Sequence, residues 1–272
     1  MKKRLSQLPA PALAGVVKEK NARAAMAEIQ NCRAGGADMI DLHLSCLEDT
    51  GIETLKKIMG ASRLPVLALN YNTTREGQNA GFGEEARVES LLRAVEAGAA
   101  GIDMQGYTFD LPSKTAFRGE DRYSFTKGGP KEVVTDEKII EKQCALIEKV
   151  HAMGAEVLLS CHPGIPMTCG QVVDLARFLE QRGPDMIKIV TVAKTQEDLP
   201  EVIKTMLVLK EELRTPVSYH ASGAAGRLSR ILNPVLGGQI AFCVDRFDEA
   251  STMEQLDLRS MRTVADIMER ML

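Results

Sequence analysis

Ile40-Asp41-Leu42-His43-Leu44-Ser45 alternates strictly between apolar and polar side chains. That period of two belongs to a β-strand. Ile40, Leu42 and Leu44 share one face, and Asp41, His43 and Ser45 share the other. A helix-like stretch lies on each side, at 22–34 and 52–59. A strand covered by helices buries an apolar outer face, so the polar set must turn towards the inside of a closed sheet.

The same unit recurs along the chain. Short apolar or β-branched runs fall at 13–17, 39–44, 66–71, 101–105, 156–161, 186–191, 217–221 and 240–244. Helical stretches follow at 22–34, 52–59, 84–97, 136–153, 170–181, 197–213, 225–233 and 253–271. Several stop before glycine, as in Arg33-Ala34-Gly35-Gly36, Glu96-Ala97-Gly98 and Met153-Gly154, the usual C-terminal signal. Thr135-Asp136 and Thr195-Gln196 supply polar caps. Repeated βα units predict an α/β fold, a TIM (β/α)8 barrel of eight parallel strands with outer helices. No strand is followed by GxGxxG, which argues against a dinucleotide-binding sheet. The expected organisation is one domain over 1–272 with an inserted loop at 108–134, which carries Lys114, Arg118, Arg122, Lys127, Lys131 and Gly128-Gly129-Pro130.

Composition narrows the function classes. The 272 residues fit a single barrel of roughly 250. A net charge of −3 offers no basic face for nucleic acid, and the lack of tryptophan removes the best base-stacking side chain. No apolar run reaches the ~18 residues of a membrane span, and no signal peptide is expected at the charged start Met1-Lys2-Lys3-Arg4. Cys32, Cys46, Cys144, Cys161, Cys169 and Cys243 are scattered without CxxC, and read as reduced thiols of a cytoplasmic protein.

Parity picks out candidate site residues. Asp103 and Gln105 oppose Ile102 and Met104, Ser160 and His162 oppose Leu159 and Cys161, and Ser218 and His220 oppose Val217, Tyr219 and Ala221. Taken the same way, Ala68, Asn70 and Asn72 oppose Leu67, Leu69 and Tyr71. Lys188 shares its face with Met186 and Val190. Burial disfavours the ammonium form, and a desolvated lysine is a good nucleophile towards ketones. Two other readings stay open: a structural lysine paired with Asp103 or Asp185, and a divalent metal held by Asp41, His43, His162 and His220. His151, late in its helix, reads as a dipole-facing residue.

The ordered set of motifs resembles type I 3-dehydroquinate dehydratase, within the class I aldolase superfamily. It comprises Ser160-Cys161-His162 at the end of strand five, Lys188 26 positions after His162, Gly226-Arg227-Leu228-Ser229-Arg230 after strand seven, Ala250-Ser251-Thr252-Met253-Glu254-Gln255 after strand eight, and Arg75-Glu76-Gly77 after strand three. The resemblance implies a carbon–oxygen lyase of the shikimate pathway and aromatic amino acid biosynthesis, with no cofactor and no metal, working as a homodimer on a small keto-carboxylate. It implies that Lys188 forms an imine with the substrate ketone, that His162 is general base and then acid, and that Glu76 orients His162. It implies that Arg230, Gln255 and Ser251 hold the substrate's carboxylate and hydroxyls, with Asp41, His43, Asn72 and His220 completing the binding shell. His43 and Asn72 stand where the family has arginines, Asp41 where it has glutamate, and His220 where it usually has methionine. These departures also motivate a third reading, a barrel that binds a keto acid without turnover.

Overall fold

The computed structural model describes residues 4–71, 83–109, 133–248, 251 and 255–271. Strands β1 (Ala12–Val17), β2 (Met39–His43), β3 (Val66–Leu69), β4 (Gly101–Gln105), β5 (Glu156–Cys161), β6 (Met186–Val192), β7 (Val217–Ser222) and β8 (Ile240–Val244) alternate with helices α1 (Ala22–Ala34), α2 (Ile52–Ala61), α3 (Glu84–Ala97), α4 (Glu137–Ala152), α5 (Cys169–Glu180), α6 (Leu199–Glu212) and α7 (Arg227–Val235). A short β9 (Leu256–Asp257) and α8 (Leu258–Met271) follow. Every ladder between neighbouring strands is parallel, in the order β7-β6-β5-β4-β3-β2-β1-β8-β9. This is the (β/α)8 architecture that the repeated units predict.

The punctuation read in the sequence operates locally. Asp136 accepts from the backbone N–H of Lys138 and Ile139 to start α4, and Gly98 ends α3 in the left-handed conformation. Most boundaries fall within two residues of expectation, and two of the departures have a plain cause. α7 starts two residues later than predicted, because Gly223 to Gly226 form a tight turn. The last helix starts at Leu258, because Leu256 and Asp257 first pair with Cys243 and Val244 as a ninth strand.

The β7–β8 seam is closed by one backbone hydrogen bond, from the Gln239 N–H to the Val217 carbonyl at 3.2 Å, and beyond it by side chains. Ser218 Oγ accepts from the Ile240 N–H at 2.8 Å and donates to the Ile240 carbonyl at 3.2 Å. Buried Asn233 on α7 accepts from the Tyr219 N–H at 3.0 Å and donates to the same Ile240 carbonyl at 3.1 Å. Backbone groups that a ladder would satisfy are thus paired by two amino acids.

The interior is split by height. Leu5, Leu8, Met39, Leu67, Leu158 and Met186 form an apolar floor, and buried Glu156 accepts the Leu5 N–H to hold the N-terminal segment beneath it. Above the floor, the inward side chains become polar. Ser160, Lys188 and Ser218 stand side by side on β5, β6 and β7.

Parity holds for the second, fourth, fifth, sixth and seventh strands and fails for the third. Ala68 packs in the helix-facing cluster while Leu67 joins the floor. Asn70, expected inside, donates to Ser90 Oγ on α3 at 2.7 Å. The apolar-out rule inverts here because α3 presents hydrogen-bonding partners to the strand. Fully buried Arg87 binds Glu84 through two contacts of 2.9 and 2.7 Å and donates to the Asn70 carbonyl and Gln105 Oε1. Burial disfavours the Arg87 charge, but Glu84 outweighs it and its pKa rises. Asn72 lies outside the described residues.

The described segments on either side of 110–132 are clamped together. Gln143 donates to the carbonyls of Gly106 and Thr108 at 3.0 and 2.7 Å, and Arg182 donates to the Val134 carbonyl at 2.7 Å. The basic residues expected between them, 110–132, lie outside the described residues.

Candidate functional site

Lys188 projects from β6 into the upper barrel, and its side chain is only 9% exposed. Its Nζ lies 3.9 Å from Asp103 Oδ2 and 4.1 Å from the centre of the Phe242 ring. Burial pushes the lysine's pKa down, and the charges of Arg230 and Lys18 add to that, while Asp103 and Asp41 work the other way. Asp103 itself is pushed up by burial, against the pull of Lys188 and the Ser160 hydroxyl. Ser160 Oγ donates to Asp103 Oδ1 at 2.6 Å, and Gln105 Nε2 donates to the same oxygen at 3.2 Å. One carboxylate oxygen is therefore fixed by neutral donors while the other faces the amine.

The structural alternative for the lysine named Asp103 or Asp185 as partner. Asp103 is the one beside it. Asp185 instead accepts from the Val157 N–H and pairs with His151, both at 2.8 Å, so His151 has a specific partner besides its helix end.

Three histidines converge on the same chamber. His162 follows β5, and its Nε2 lies 3.0 Å from the Tyr71 hydroxyl. Its Nδ1 is buried with no hydrogen-bond partner. Burial holds its pKa well below 6.5, reinforced by Lys188 and Arg230. His220 on β7 is buried, its Nε2 likewise without a hydrogen-bond partner, and burial plus the charges of Arg230 and Lys188 hold it low as well. His43 Nε2 lies 3.3 Å from Asp41 Oδ2. Asp41 Oδ1, like Asp103 Oδ2, is a buried acceptor with no hydrogen bond. Unfulfilled polar atoms of this kind, gathered in one place, mark a site built for a polar ligand.

The Gly-x-x-Ser-Arg turn is explained by its packing. A Cβ on Gly226 would lie 2.4 Å from the Ser222 carbonyl oxygen and 2.5 Å from that of Ala221, so only glycine lets α7 begin this close to the end of β7. Ser229 Oγ then accepts from the Ala221 N–H at 2.8 Å and donates to the Gly226 carbonyl. One residue on, Arg230 is half-buried, with its charge felt at His220, His162 and Lys188.

Gln255 and Ser251 border a small hollow shared with Val16, Lys18 and Val244 at the ends of β1 and β8. Gln255 is buried. The Ser251 hydroxyl is engaged locally, donating to Asp248 Oδ1 and accepting from the Asp248 N–H, both at 3.0 Å. Glu76 and Asn72 lie outside the described residues.

Two participants escaped the reading of the sequence. The alternation along 66–71 puts Tyr71 on the helix-facing side with Leu67 and Leu69, whereas its hydroxyl meets His162. Phe242 was not singled out, although small Ala241 and Cys243 flank it and mark it as the inward residue of β8. The metal reading also needs correction. Among the described residues, no three His, Cys, Asp or Glu side chains are arranged to hold a metal ion. Tyr71 stands between the expected ligands, its ring centre 6.2 Å from that of His43 and 5.5 Å from that of His162.

A family model described as type I 3-dehydroquinase matches residues 14–271. A 3-dehydroquinate dehydratase of Aromatoleum aromaticum is 24% identical over 223 residues, covering 81% of this chain and 74% of that protein. One from Klebsiella pneumoniae is 26% identical over 240 residues, covering 86% and 83%. Among solved structures, type I 3-dehydroquinate dehydratase from Clostridium difficile superposes with a TM-score of 0.78 at 14% identity, covering 100% of both chains. The Geobacillus kaustophilus 3-dehydroquinate dehydratase gives 0.75 at 15%, covering 99% of this chain and 97% of that one.

Proposed function

The chain belongs to the type I 3-dehydroquinase family, and from that premise we propose that its barrel removes water from 3-dehydroquinate through an imine on Lys188. The activity is that of a carbon–oxygen lyase, the kind its curated relatives are named for. The observation that carries the mechanism is a buried amine whose pKa is depressed, in the same chamber as an imidazole that burial keeps neutral.

The Lys188 amine adds to the substrate ketone, and loss of water gives a protonated imine. That cation draws electrons from the neighbouring carbon, so His162 can take its proton and leave an enamine. The enamine electrons then expel the hydroxyl on the next carbon as His162 returns the proton to it, releasing water. Hydrolysis of the imine frees the product and restores the amine, so the net change is loss of one water.

Arg230 holds the substrate carboxylate, for which its planar fork is suited. Gln255 and Ser251 close the carboxylate end beside Lys18. His220 and the Asp41–His43 pair face the ring hydroxyls, with buried acceptors and donors awaiting partners. Asn72 completes the shell as the family resemblance implies. Such a reaction belongs to the shikimate pathway. We also propose that the chain acts as one domain, cytoplasmic and homodimeric, which light scattering of the purified protein would test for the assembly.

Dehydration of 3-dehydroquinate is followed directly by the ultraviolet absorbance of the conjugated product. Turnover that is lost in Lys188→Met, with a raised KM in Arg230→Ala, supports the assignment. Wild-type protein that binds the compound but yields no product overturns it.

A further inference from the structure

We propose that Tyr71 positions His162 by accepting the Nε2 proton, so that Nδ1 is the atom that takes and returns the substrate proton. The inference rests on the dehydratase reading above and deepens it.

The geometry carries it. Tyr71 Oη lies 3.0 Å from His162 Nε2, and the two rings meet edge to face at 76°. The His43 ring neighbours the tyrosine, with 6.2 Å between ring centres, and His43 pairs with Asp41. Nδ1 is the other ring nitrogen, buried and with no hydrogen-bond partner. A neutral imidazole has one N–H and one lone pair. If Nε2 accepted from Tyr71, the Nδ1 proton would be a buried donor without an acceptor, and no lone pair would remain to act as base. With the proton on Nε2, the hydrogen bond is made and the lone pair sits on the open atom. The hydrogen bond of the second nitrogen thus selects the working nitrogen of the first.

The same contact matters more when His162 is charged. Imidazolium has two N–H groups, and one would point at Tyr71 Oη while the other carries the substrate's proton. The other groups that face His162 oppose its charge or leave it unaided. Lys188 on β6 and Arg230 on α7 are cations, and His220 on β7 is held neutral by burial. Asp103 on β4 is turned to Lys188 and Ser160, and Asp41 on β2 pairs with His43. Tyr71 is therefore the described group placed to accept from the imidazolium. It does for His162 what the family resemblance assigns to Glu76, from just beyond the end of β3.

The test reads the imidazole itself and needs no substrate. Nitrogen-15 spectra of the ligand-free protein at neutral pH should show His162 protonated at Nε2. In Tyr71→Phe, which keeps the ring and removes the acceptor, the His162 protonation midpoint should move to lower pH. The acid limb of kcat/KM should move with it, and kcat should fall about 10- to 100-fold, as for a lost hydrogen bond to a charged group. Imine trapping at Lys188 should persist in the variant, because the amine is untouched. A wild-type imidazole protonated at Nδ1 overturns the proposal, as does an unchanged midpoint and acid limb in Tyr71→Phe. If the wild-type protein traps no ligand, the dehydratase reading fails, whereas the spectra still decide the tautomer.

Discussion

Substituting Gly226 by alanine should weaken substrate binding through Arg230 without touching a reacting group. The new methyl would lie 2.4 Å from the Ser222 carbonyl oxygen and 2.5 Å from that of Ala221, where ordinary contact begins at 3.4 Å. Both neighbours are backbone, so the first turn of α7 must retreat by about 1 Å to restore contact. That motion strains the Ser229 link to Ala221, now 2.8 Å, and carries Arg230 with it. A misplacement of this size is enough for about a hundredfold loss, equivalent to roughly 2.8 kcal/mol. Because the guanidinium grips the carboxylate in ground and transition states alike, the loss should appear as a higher KM with kcat nearly kept. Overpacking should also cost about 1–3 kcal/mol of stability. Steady-state kinetics beside circular dichroism melting separates the two effects. A folded Gly226→Ala protein with KM within a factor of about three of wild type would refute the claim that this turn places the arginine.

Asp103→Asn removes a negative charge that favours the Lys188 ammonium, so the neutral amine persists to lower pH and the acid limb of the imine-trapping rate should move down; a limb that stays or rises contradicts the pairing. Asn233→Ala leaves the Tyr219 N–H and loses one of the bonds to the Ile240 carbonyl at the seam. That should cost about 3 kcal/mol and lower Tm by roughly 6–12 °C, whereas an unchanged melt would mean the seam is held elsewhere. His220 is kept neutral by burial, so its folded pKa lies below the unfolded 6.5. Between those values the unfolded state binds the extra proton, and stability falls as pH drops below 6.5, by about 1.4 kcal/mol per pH unit for one such group. Denaturant titrations at two pH values below 6.5 should show a shallower fall in His220→Met; an equal slope would show that His220 is not buried neutral.

The order of elements was legible because each βα unit carries its own signals. Asp136 caps α4 and Gly98 stops α3, and no distant partner is needed to read them. Ser160, His162, Lys188 and His220 were legible for the same reason, since on their strands the helix-facing side is plainly apolar. β3 misled because its outward Asn70 is satisfied by Ser90, and Arg87 lies buried beside it. A buried polar network across an interface reverses the parity rule, and nothing local to residues 66–71 reports the partner some 20 positions on. Tyr71 was hidden by that reversal. The ninth strand was hidden too, because Leu256–Asp257 is too short to show any period. Gly226 could be read as part of a motif, but its reason, two carbonyl oxygens where a Cβ would stand, exists only in three dimensions.

Imine formation at one residue is the core of the account. Borohydride reduction of the wild-type protein in the presence of 3-dehydroquinate, followed by digestion and mass spectrometry, tests it directly. The peptide containing Lys188 should gain the mass of the reduced ligand-derived adduct, and no other lysine peptide should. Full turnover with every lysine peptide unmodified, or an adduct on a different lysine, would contradict it.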